Sequence, residues 1–212
     1  MANSRQQAIE TAERLFRAQG YAGTGLAQII AESGSPKGSF YFNFPGGKHE
    51  LALEALKLYG ERLNSRILEA AASHGEDPIE FVRFVCARQA RELEASGWTL
   101  SCLAQQLANE LSPGDEEITA AVARVMRTWI ASMARVLRRA ASSDEDAIRL
   151  GTVFISCLSG ARGISRVVRS KAPLESVAES MAGMLKSAAA GSAARTVRRR
   201  TTRTGRTAVT TH

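Results

Sequence analysis

Residues 34–48 read Gly34-Ser35-Pro36-Lys37-Gly38-Ser39-Phe40-Tyr41-Phe42-Asn43-Phe44-Pro45-Gly46-Gly47-Lys48. The order predicts a helix of about two turns. Ser35 is placed as an N-cap, Pro36 fits the first helical position where its missing N–H costs nothing, and Pro45 stops the next turn. Phe40 and Phe44, four residues apart, share one face and anchor the helix to a small core. Lys37, Gly38, Ser39, Tyr41 and Phe42 are left on or near the outer side. A short rod with small, polar and cationic groups outward suits a DNA groove better than it suits catalysis.

The preceding residues supply the support that so short a helix needs. Ser4-Arg5-Gln6-Gln7 has capping-box spacing, and Ala8, Ile9, Ala12, Leu15 and Phe16 then recur at helical period until Gly20 offers a left-handed end. A second helix from Thr24 or Gly25 presents Leu26, Ile29 and Ile30 on one face and closes at Gly34. Only a tight turn then separates it from the Pro36 helix, which is helix-turn-helix spacing.

On these residues the N-terminal part, roughly the first 55 residues, resembles the DNA-binding domain of the TetR family of bacterial transcriptional regulators. Gly20-Tyr21, Thr24, the Ile29–Gly34 stretch, Lys37-Gly38-Ser39, Tyr41, Phe44, Lys48 and Glu50-Leu51 carry the likeness. The Pro36-Lys37-Gly38-Ser39 start and the Phe44-Pro45-Gly46-Gly47-Lys48 run are similar to the LmrA/YxaF-like subgroup. The resemblance implies that Ser35, Pro36, Lys37, Gly38, Ser39 and Tyr41 face DNA, while Thr24, Gln28 and Lys48 brace its phosphates. Two residues depart from the common pattern. Gly25 stands where many relatives carry Ser or Thr, and Phe42 where many carry His. Lys37 is suited to a guanine edge or a phosphate, Gly38 to close backbone approach, and Phe42 to a thymine methyl or to packing. Lys48, near the start of the following helix, would share its attraction for a phosphate with that helix's free N–H groups.

The rest of the chain predicts helix throughout. Of the 212 residues 44% are hydrophobic, enough for a sizeable core. Long 3.6-period runs dominate, so an all-α fold of about nine helices is expected. The division is a helix-turn-helix head over 1–50, a helical effector-binding and dimerisation body over 51–190, and a basic disordered tail over 191–212. The formal net charge is +7, and the tail holds six arginines (195, 198, 199, 200, 203, 206) with no acidic residue, so the rest of the chain carries +1. That tail either adds nonspecific, salt-sensitive affinity for DNA or is inert. No apolar run approaches the length of a membrane span and no signal core opens the chain, which predicts a cytoplasmic protein without a membrane partner.

The last two helices carry small residues, Ser156, Gly160, Ala161 and Gly163, beside the stripe Leu174, Val177, Met181, Met184 and Leu185. They are suited to pack against a second copy as a four-helix bundle. The resemblance implies the same homodimer on a palindromic operator, with heads about 34 Å apart or a multiple of that. It also implies a small-molecule effector whose binding reorients the heads, a shift of population between two head spacings. Trp98, Cys102, Gln105, Gln106, Asn109, Trp129, Met133, Phe154 and Arg162 offer apolar walls and polar anchors for an aromatic or amphipathic compound.

Enzymatic parts are missing. His49, His74 and His212 lack metal-ligand spacing, and no glycine-rich phosphate loop follows a strand, so neither a metal nor another cofactor is expected. Cys86, Cys102 and Cys157 are too widely spaced for a zinc site or a disulfide framework. A thiol redox switch on the same scaffold and a helical interaction module without DNA remain the alternatives.

Overall fold

The computed structural model describes residues 4–204, with their side chains as far as residue 189. Helices α1 (Ser4–Gln19), α2 (Leu26–Ser33) and α3 (Lys37–Asn43) form the head. The body contains α4 (Gly47–His74), α5 (Pro78–Ala95), α6 (Leu103–Leu111), α7 (Glu116–Leu137), α8 (Asp144–Val168) and α9 (Ala172–Thr204). No strand occurs among the described residues.

Local stop and start signals set the helix ends, with one displacement from the expected place at α3. Gly34 ends α2 in the left-handed region at φ 65°, where an L side chain would crowd its own backbone. Asp77 caps α5 by accepting from the Ile79 and Glu80 N–H groups, Asp115 caps α7 through Ile118 N–H, and Ser143 caps α8 through Asp146 N–H. Asp146 is held down at about 2 by the Ser142 N–H it accepts and by Arg149. At α3 the cap falls on Pro36 rather than Ser35: the Phe40 N–H bonds the Pro36 carbonyl at 2.9 Å, and Lys37 is the first helical residue.

One apolar core runs from head to body. Phe16, Ile29, Phe40, Phe44 and Leu51 are sealed in the same cluster as Tyr59, Phe81, Leu107, Trp129 and Phe154. Helix α4 makes the cluster continuous, because it leaves the head at Gly47, packs along α1, and goes on to pack against α7 and α5. The boundary expected at residue 50 therefore lies inside one helix. Helix α8 packs on α7 and α9, and α9 on α5.

The tail differs from its expectation. Helix α9 continues past Gly191 to Thr204, so the backbone of 191–204 is helical rather than disordered; 205–212 lie outside the described residues. The run Ala188-Ala189-Ala190, followed by Ala193, Ala194 and several arginines, has high helix propensity, which outweighed its lack of large apolar groups.

Helices α7 and α8 meet closely at Gly151, where an added Cβ would stand 2.9 Å from the Ile130 carbonyl oxygen. Backbone cannot yield as a side chain does. Gly151→Ala is expected to lower stability by about 1–3 kcal/mol, read from the urea midpoint.

Candidate nucleic-acid interface

Helix α3 has seven residues, too few to hold itself in water. Its inner side is fixed by Phe40 and Phe44, both essentially sealed, with ring centroids 5.2 Å apart and the Arg5 guanidinium 5.3 Å from the Phe44 ring. Tyr41 stands edge-on to Phe40. The same anchoring turns Pro36, Lys37, Gly38 and Ser39 to solvent, with Tyr41 47% and Phe42 88% exposed. A phenyl ring left so open beside a lysine and a serine is an apolar contact surface with hydrogen-bonding neighbours, the combination that reads a major-groove edge.

Three of the expected contact residues are used internally instead. Thr24 is fully buried, and its hydroxyl donates to the Gly20 carbonyl at 2.6 Å. Ser35 is also buried; its Oγ donates to the Ser4 carbonyl at 3.1 Å and so ties the turn to the start of α1. Lys48 donates from Nζ to the carbonyls of Tyr21 (2.9 Å) and Thr24 (3.0 Å), with Nζ 4.2 Å from the Tyr21 ring centroid. Thr24 and Lys48 brace the turn between α1 and α2, and Ser35 ties the turn between α2 and α3 to α1; the expectation that the Thr24 and Ser35 hydroxyls themselves meet DNA is corrected, because both are buried on backbone carbonyls. Gln28 lies between Gln19 and Glu32, accepting from the first at 2.7 Å and donating to the second at 2.8 Å.

One bracing residue went unforeseen. The Glu110 carboxylate of α6 accepts from the N–H groups of Tyr21 (2.9 Å) and Ala22 (2.7 Å), and Gln106 donates to it at 2.8 Å. Gly20, at φ 83°, leaves room for it: a Cβ there would lie 2.6 Å from Glu110 Oε1. Burial pushes the Glu110 carboxyl up, but the Ala22 N–H, Gln106, the Tyr21 N–H and Lys48 together hold it below its ordinary value. The only local sign was the glycine, and nothing in it pointed to residue 110.

Of the nine residues expected to line an effector site, only Trp129 borders either of two clefts among the described residues. Trp129 borders a cleft of about 610 Å³ between α4 and α7, and its Nε1 donates to the Gly60 carbonyl at 3.1 Å. Met133 and Phe154 are packed in the core. Gln106 serves Glu110, and Arg162 is held by Gln89, Glu92 and the Leu100 carbonyl. Trp98, Cys102 and Gln105 are half-buried and Asn109 is exposed; none of these borders that cleft or a second one of about 380 Å³ between α5 and α9. Helical periodicity marks which face turns inward without saying whether it meets a void or a neighbour. Of the cysteines, Cys86 is buried and its thiol is pushed up to about 12, Cys102 is half-buried, and Cys157 is exposed.

Residues 8–55 match the N-terminal domain of bacterial regulatory proteins of the tetR family, and residues 78–180 match the C-terminal domain of LmrA/YxaF-like transcriptional regulators. The chain is 34% identical to the HTH-type transcriptional regulator YxaF of Bacillus subtilis, over 84% of this chain and 92% of YxaF. The chain belongs to the TetR family. It is also 32% identical to LmrA of the same organism, over 87% of this chain and 97% of LmrA. Solved TetR-family structures share the fold: a regulator from Rhodobacter sphaeroides (TM-score 0.75, 24% identity, covering 84% of this chain and 97% of that one) and the reduced form of Escherichia coli NemR (TM-score 0.72, 22% identity, covering 83% and 94%). This TetR-family protein is thus a DNA-binding transcriptional regulator and not an enzyme.

Lys37 and Lys48 separate by experiment. Lys48→Ala, which strands two carbonyls, is expected to lower stability by about 1–3 kcal/mol, whereas Lys37→Ala should leave it within about 0.5 kcal/mol; urea unfolding measures both. Glu110 gives a pH signature. A carboxyl whose folded pKa is depressed contributes stability above its unfolded value near 4.5 and loses it as pH falls through the folded value. The amide proton resonances of Tyr21 and Ala22 should therefore titrate together with a midpoint below 4.5, and Glu110→Gln should abolish that titration.

Proposed function

We propose that the protein acts as a homodimeric, cytoplasmic repressor that binds a palindromic operator through α3 and is released by a small hydrophobic or aromatic effector. The exposed outer surface of α3, with Lys37, Gly38, Ser39, Tyr41 and Phe42 presented together, is the observation that carries the DNA-contact reading. Pro36 borders the same surface, and Gln28 and Lys48 contribute to the phosphate side through the turn they hold.

Pairing is supported by the outer surface of α8 and α9. Ile148, Ile164, Val167 and Val168 on α8 and Met184 on α9 are exposed, Val167 to 84%. Gly160, Gly163 and Gly183 have open space where a Cβ would be, which allows two helices to approach closely. By length and composition α8 contains a stretch, with a mean hydropathy of 1.2, that is apolar enough to cross a membrane. Its inner face nonetheless carries Arg162 and packs on α7 and α9, so a second copy is the better cover for the outer one.

The cleft between α4 and α7 suits the effector. Its volume falls within the ~300–1,000 Å³ typical of small-molecule sites, and Leu53, Leu56, Val125 and Trp129 give apolar walls beneath the polar Glu50, Asn64 and Glu117. Because α4 leads directly from the head, a molecule wedged between α4 and α7 would bias one head orientation over the other.

Selection of genomic DNA fragments by the purified protein, with and without residues 191–212 and near physiological salt, tests the reading. One palindromic sequence enriched by both forms is the expected result. Enrichment that is absent, or that disappears with the tail, sinks specific recognition by α3. On the selected operator, Phe42→Ala and Lys37→Ala should each cost about 1–3 kcal/mol of binding, with the loss for Phe42→Ala concentrated in sites that carry a thymine opposite it.

A further inference from the structure

Three successive carbonyls between α5 and α6 are each taken by a different arginine. Thr99 O accepts from Arg166 Nη2 (3.0 Å), Leu100 O from Arg162 Nη2 (3.2 Å) and Ser101 O from Arg17 Nε (2.9 Å). Arg17 belongs to α1 in the head, whereas Arg162 and Arg166 belong to α8. Ser101 answers with two bonds of its own, its N–H and its Oγ both donating to the Arg17 carbonyl at 2.9 and 2.6 Å. The segment enters this position through Gly97 and Trp98, both at positive φ (60° and 66°), a backbone that a tryptophan rarely adopts.

Glu92 of α5 spans the same gap. One carboxylate oxygen accepts from Arg17 Nη2 at 2.7 Å and the other from Arg162 Nη1 at 3.0 Å. The side chains of Arg17 and Arg162 are more than nine-tenths buried. Burial pushes the Glu92 carboxyl up, but Arg162 and Arg17 outweigh it and keep it below its ordinary value, hence ionised.

The two ends of this bridge differ. On the head side Arg17 has Nε, Nη1 and Nη2 all bonded, to Ser101, Glu13 and Glu92. On the α8 side Arg162 Nε, Arg166 Nε and Ser165 Oγ are buried with no partner among the described residues. Buried donors without acceptors make that contact the weaker of the two. A displacement of α8 would release Arg162 and Arg166 first and leave the 99–101 strap attached to the head.

We propose that Glu92 and the 99–101 strap form the joint that sets the angle between head and α8, and so the separation at which the dimer presents its two α3 helices. Glu92 is a positioning residue that never meets DNA, and the joint opens at Arg162. The inference rests on the two-headed dimer of the preceding section.

The test uses full-length protein, the selected operator, and versions of it with one, two or three base pairs inserted between half-sites. Wild type should prefer the native spacing strongly. Glu92→Gln, nearly isosteric but uncharged, should keep half-site affinity and dimerisation while its preference for native over altered spacing falls about tenfold. Arg166→Gln, which removes only the Thr99 contact, should show a smaller fall in the same ratio and serves if Glu92→Gln does not fold. Folded, dimeric variants that discriminate spacings as wild type does would overturn the joint. So would an equal loss of affinity for half-site and every spacing, which marks a merely structural role. If wild type itself lacks a spacing preference, the two-headed reading falls first.

Discussion

The structure depends on seating a helix too short to exist alone. Seven residues close so few intrahelical bonds that α3 owes its conformation to tertiary contacts, mainly the burial of Phe40 and Phe44. Two aromatic anchors spaced by four residues consume one face, and the opposite face is thereby left for a partner. Burial of the anchors requires a wall, which α1, α2 and the first turns of α4 supply through Phe16, Ile29 and Leu51. The length of α4 follows in turn, because the wall for α3 has to be joined rigidly to a body that holds its orientation.

That orientation is held by polar contacts made over long sequence separations. Glu110 grips the turn after α1, Arg62 of α4 reaches Glu10 and Glu13 of α1, and Arg17 reaches Glu92 and Ser101. Apolar packing between head and body is non-directional and would tolerate some sliding. Hydrogen-bonded charges tolerate little, since a small rotation leaves a buried donor unpaired. Such contacts do not add much net stability, but they narrow the set of head orientations.

The fold was readable because its signals are local. Gly34 and Pro45 act on neighbours within a few residues and each ends a helix within about one residue of its expected place, and Asp77, Asp115 and Ser143 cap α5, α7 and α8 in the same local way. The outward face of α3 was legible for the same reason, from the spacing of Phe40 and Phe44. Which polar groups are spoken for was not legible. Lys37 and Lys48 differ in role because the carbonyls of Tyr21 and Thr24 happen to lie beside the second, more than twenty residues away in the chain. Thr24, Ser35 and Arg162 were misread in the same way: the sequence states what a side chain can donate, and the tertiary fold decides what stands within 3 Å of it.

The head–body bridge also explains why arginine rather than lysine occupies its ends. Arg17 bonds Ser101 through Nε and Glu92 through Nη2 at once, and Arg162 divides itself between Glu92 and Leu100. A planar fork fixes the angle between its two partners, whereas an ammonium group on a flexible stem would hold either partner without fixing their relation. The acceptors on the strap are peptide carbonyls, so the side chains of Thr99 and Leu100 are not what the arginines recognise. Specificity of the joint therefore lies in the guanidinium geometry and in the backbone turn at Gly97 and Trp98 that brings three carbonyls into line.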